Sequence, residues 1–96
     1  MKKTSGKLAR AHLIIEGQVQ GVFFRASTVR VSRENKLTGW VRNMPGGTVE
    51  AVLEGNKPDV EKVIKWCRSG PPMARVDGVK ITWGDYEGEF TEFSDR

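Results

Sequence analysis

The chain has little of what small enzymes commonly use for chemistry. It holds one cysteine, Cys67, and one histidine, His12. A lone cysteine forms no internal disulfide, and neither residue has neighbours at metal-ligand spacing. No serine stands in a nucleophile elbow. No metal and no cofactor are expected, and His12 and Cys67 are expected on the surface of a strand and in a packed helix face, away from catalysis. Long apolar runs are missing as well, so no segment reads as a membrane span. The basic opening MKKTSGKLAR leads only into AHLII before Glu16, which is not a secretory signal. A cytoplasmic protein without a membrane partner is expected.

Acid is absent from the first ten residues, which carry Lys2, Lys3, Lys7 and Arg10. Residues 85–96 reverse the balance, with Asp85, Glu87, Glu89, Glu92 and Asp95 against Arg96 alone. The net charge of +4 suits an anionic partner, either nucleic acid or a small phosphorylated compound. By composition alone a solvated surface with a basic tail is the better fit, and the C-terminal carboxylates read most simply as such a surface. At 96 residues the chain is long enough for one modest core. Residues 1–6 are expected to be a disordered basic tail and residues 7–96 a single domain.

What is present is a clear alternation of elements. Residues 8–16 alternate, with Ala9, Ala11, Leu13 and Ile15 on one face, and predict a half-buried strand. Residues 23–34 lie between Gly21 and Asn35 without glycine or proline and predict a helix with an untidy apolar stripe. Residues 37–44 and 48–54 flank Pro45, Gly46 and Gly47 and predict a hairpin. Asn56 as N-cap, Pro58 in the first turn and the spacing of Val60, Val63, Ile64 and Cys67 predict a second helix, stopped by Gly70, Pro71 and Pro72. Residues 75–83 predict a fourth strand and residues 90–94 a short fifth. The order βαββαβ is the split βαβ, a ferredoxin-like α+β sandwich with two helices on one face of an antiparallel sheet. Trp40, Trp66 and Trp83 are expected to pack.

Two motifs concentrate chemical potential. GQVQGVFFR, residues 17–25, falls where the first strand ends and the first helix begins. Glycines there permit a sharp turn and close approach of a ligand. The helix start offers unpaired N–H groups at the positive end of the dipole. Arg25 adds a planar fork of donors that matches phosphate or carboxylate. The alternative is a simple strand end followed by an arginine that faces water. GWVRNMPGG, residues 39–47, places Asn43 at the end of a strand, where its amide can hold a water or bond its own turn.

Together the motifs resemble the acylphosphatase family. Its first signature, G-x-V-Q-G-V-x-[FY]-R, is met by Gly17, Val19, Gln20, Gly21, Val22, Phe24 and Arg25. Its second is met in order by Gly39, Trp40, Val41, Arg42, Asn43, Gly47, Val49 and Gly55. Gly46 stands where many relatives have an acid, a change expected to alter the hairpin and not the chemistry. The resemblance spans residues 10 to 94 and implies the ferredoxin-like fold. It implies hydrolysis of a small acyl phosphate to carboxylate and inorganic phosphate by a monomer. It assigns the phosphate to Arg25 and to the backbone N–H groups of Gln20, Gly21, Val22, Phe23 and Phe24, and the attacking water to Asn43. An RNA-binding module of the same element order would carry exposed aromatics on its third strand; TVEAVLE has acids and none, so nucleic acid is not expected.

Overall fold

The computed structural model describes residues 7–96. The tail expected over residues 1–6 lies outside the described residues. The elements are β1 (Leu8–Gln18), α1 (Phe24–Glu34), β2 (Thr38–Asn43), β3 (Val49–Asn56), α2 (Lys57–Cys67), β4 (Arg75–Gly84) and β5 (Phe93–Asp95). They form one five-stranded sheet in the order β4-β1-β3-β2-β5. No helix among the described residues is long and apolar enough to cross a membrane.

Alternation along the strands decides which face is covered. Ala11, Leu13 and Ile15 of β1, Val41 of β2, and Val49, Ala51 and Leu53 of β3 form one buried cluster with Val60, Val63, Ile64 and Cys67 of α2 and Phe24 of α1. Both helices therefore pack on the same side of the sheet. The stripe of α1 looked untidy in sequence because two of its buried positions are hydroxyls. Phe24, Thr28 and Ser32 recur every fourth residue and are buried. Thr28 satisfies itself by donating to the Phe24 carbonyl at 2.8 Å. Phe24 also leans on Trp66 of α2, with ring centroids 5.6 Å apart. The other two tryptophans are not core residues. Trp40 lies beneath the guanidinium groups of Arg42 and Arg96, and Trp83 is half-exposed beneath Lys57.

The first four strands pair antiparallel, as the element order predicts. The fifth strand is shorter than the expected 90–94 and runs parallel to β2, which makes the sheet mixed. The segment before it is held as a loop by Glu54 of β3, which is fully buried. The Glu54 carboxylate accepts the backbone N–H groups of Glu87 at 2.9 Å and Gly88 at 3.1 Å, and Arg10 donates to it at 3.0 Å. Asn56 precedes α2 as expected, but its side chain makes no capping hydrogen bond. The Lys57 N–H is instead taken by the Lys7 carbonyl.

Candidate active site

The segment between β1 and α1 is built by two residues with positive φ. Gly21 has φ 76°, with open space where a side chain would begin. Phe23 has φ 66° and ψ 18°, a left-handed conformation that glycine or asparagine adopts far more readily than an aromatic. Together they turn the chain so that α1 starts at Phe24. Gly17 does something different from what the motif suggested. A Cβ there would collide with the Arg75 carbonyl, so this glycine admits the backbone of β4, not a ligand. It lies where a bulge interrupts the pairing of β1 with β4.

The turn leaves a cavity of about 260 Å³ at the N-terminus of α1, lined by Val19, Gly21, Phe23, Phe24, Arg25, Ala26 and Asp95. The first turn of α1 contains no acid, and Phe23 gives it no side-chain cap. Its N–H groups and positive end are thus left for another partner. α2, in contrast, carries Asp59 in its first turn. Arg25 Nη1 donates to Asp95 Oδ1 at 2.9 Å, and the two side chains are 39% and 42% exposed, so neither is sealed from solvent. One of the five guanidinium donors is used in this pair.

Of the residues singled out in sequence, Gly21, Phe23, Phe24 and Arg25 line the cavity; Gln20, Val22 and Asn43 do not. Val22 packs against the core. The Gln20 amide is spent on the hairpin. Its Nε2 donates to the carbonyls of Met44 and Thr48, each at 2.8 Å, and so ties the loop to the end of β2. Asn43 is exposed on that end, immediately before the carbonyl that Gln20 grips. The turn itself is closed by Met44 N–H to Thr48 and Gly47 N–H to Met44, without the Asn43 amide.

This loop-and-arginine arrangement can be set against known proteins. The family model described as Acylphosphatase matches residues 11–94. The chain belongs to the acylphosphatase family. It is 57% identical over 88 residues to an acylphosphatase of Pyrobaculum arsenaticum, a match that covers 91% of this chain and 93% of that one. It superposes on the structure of an acylphosphatase from Coxiella burnetii with a TM-score of 0.89 and 34% identity, covering all of both chains. The crystal structure of acylphosphatase from Bacillus subtilis gives a TM-score of 0.88 at 29% identity, over 94% of this chain and 99% of that one.

Against the acylphosphatase signatures, two residues of the cavity went unseen in sequence, Ala26 and Asp95. Asp95 belongs to the acidic C-terminal stretch that reads as solvated surface, yet it faces Arg25. The same holds for Glu87 and Glu89, which approach Arg10. His12 and Cys67 stand apart from the site. His12 pairs through Nε2 with Glu50 at 2.6 Å on the open face of the sheet. Cys67 is buried among apolar side chains, which pushes its thiol up to about 12 and keeps it protonated near neutrality.

Proposed function

We propose that this chain hydrolyses acyl phosphates to a carboxylate and inorganic phosphate. The Arg25 guanidinium and the N–H groups of the Gln20–Phe24 loop hold the phosphoryl oxygens, and the Asn43 amide orients the attacking water. The observation that carries this reading is the cavity at the start of α1, where the signature loop, an uncapped helix end and Arg25 converge.

Few groups are needed because the leaving group is undemanding. A carboxylate is the anion of an acid with a pKa of roughly 4, so it departs without a proton from the protein. Phosphoryl transfer passes through a loose transition state with its charge spread over the equatorial oxygens. What remains is to place the reactants and to stabilise that charge. Arg25 and the loop do both for the phosphoryl group. The water's proton passes to a phosphate oxygen: His12 and Cys67 stand elsewhere, and the Asp95 carboxylate is engaged by Arg25. Every group of the proposed site comes from one chain, which suits a monomer acting on a free small molecule. The reduced, buried Cys67 suits the cytoplasm.

Phosphate release from benzoyl phosphate, measured with a chelator present for wild type and Arg25→Ala, tests the proposal. Rapid turnover is expected in wild type, with a loss of at least about a hundredfold in the mutant. Wild-type rates in Arg25→Ala would remove the arginine from the mechanism. A folded wild type without turnover would leave a phosphate-binding module.

A further inference from the structure

Phe23 is an expensive choice of residue. Its backbone is left-handed, where an aromatic is strained and glycine or asparagine is not. Phe24 next to it, with an unstrained helical backbone, buries its ring and is 1% exposed. Phe23 is 72% exposed and gains little from the fold. Neither turn chemistry nor core packing accounts for a phenylalanine here.

The cavity gives the ring a use. Its lining combines the charged side chains of Arg25 and Asp95 with the apolar residues Phe23, Val19 and Ala26. An acyl phosphate likewise combines charged and apolar groups. Its phosphoryl group is drawn to the arginine, which leaves the acyl substituent to be received by the apolar residues. We propose that Phe23 is the acyl-contact residue: its ring packs on the acyl substituent of the bound molecule and favours apolar, above all aromatic, acyl groups over acetyl. This assignment rests on the acyl phosphate chemistry proposed above. The contact is present both before and during phosphoryl transfer, so it acts on KM more than on kcat.

The test is kcat and KM for benzoyl phosphate and acetyl phosphate in wild type, Phe23→Gly, Phe23→Asn and Phe23→Tyr. Glycine and asparagine both suit the left-handed backbone, so the loop keeps its path without the ring. In those two variants the benzoyl-to-acetyl ratio of kcat/KM falls about three- to tenfold, mainly through KM for benzoyl phosphate. Phe23→Tyr, which restores a ring, keeps the wild-type ratio. Equal losses on both substrates, or a ratio unmoved in Phe23→Gly and Phe23→Asn, overturn the assignment. A folded wild type that turns over neither substrate overturns the acyl phosphate reading itself, and that result appears with the ring intact.

Discussion

The proposed mechanism gives Arg25 and Asn43 different tasks, and their removal should be felt differently. A group that holds the phosphoryl oxygens contributes to ground-state binding and to the transition state. A group that only aims the water contributes to the second. Asn43→Ala is therefore expected to lose most turnover while inorganic phosphate still inhibits at its wild-type concentration. A parallel loss of phosphate inhibition would move Asn43 into the phosphate site. Asp95 has the opposite sign. Its carboxylate occupies one donor of Arg25 and repels an incoming dianion, and the pair is partly exposed, so the effect is modest. Asp95→Asn should tighten inhibition by inorganic phosphate about two- to fivefold, read from inhibition constants at constant ionic strength. The arginine was legible in sequence because a local motif carries it. The aspartate was not, because its partner lies 70 residues away and only the parallel docking of β5 brings them together.

At the scale of elements, the hairpin, both helices and the four long strands could be read from periodicity and turn residues. A short fifth strand is expected over residues 90–94, but its bounds and direction could not be read, because three residues give no period and nothing local sets which way they run. The loop before it is tied to Glu54, which looks in sequence like one more polar position of an alternating strand. The structure makes it a buried acceptor for two backbone N–H groups and Arg10. Glu54→Ala leaves those donors without their acceptor and should destabilise the protein by about 2–4 kcal/mol. Hydrogen exchange at the Glu87 and Gly88 amides should rise more than at the amides of β1 in the same variant. Uniform loss of protection would mean that the loop is held by other contacts. Phe23 shows a second limit of local reading. The motif's glycines announce a turn with positive φ, but one of its three positive-φ positions falls on a phenylalanine.

Across the whole molecule, the open face of the sheet carries an ionic network that ties strands together. Burial alone would raise the Glu50 carboxyl, but hydrogen bonds from His12 and Arg42 outweigh it and hold the group below its ordinary value of 4.5. A carboxyl that is more acidic folded than unfolded adds stability above its unfolded pKa. That stability is lost as the pH falls through the lower folded value. Thermal melts of wild type should therefore decline below pH 4.5, with a shallower decline in Glu50→Gln. Equal slopes would assign the acid sensitivity to other carboxylates.

β1 sits second in the sheet, between β3 and β4, so the strand made first pairs only with strands made later. Such pairings close long loops before contacts offset the lost chain entropy, which makes folding slow relative to a helical bundle of this size. The proposed phosphate cradle inherits that timing. Its loop leaves the end of β1, Gln20 anchors it to the β2–β3 hairpin, and Asp95 arrives with β5. Half-assembled chains have no anion site to offer. An anion seated at Arg25 would thus act as a brake on unfolding while leaving the rate of folding almost untouched.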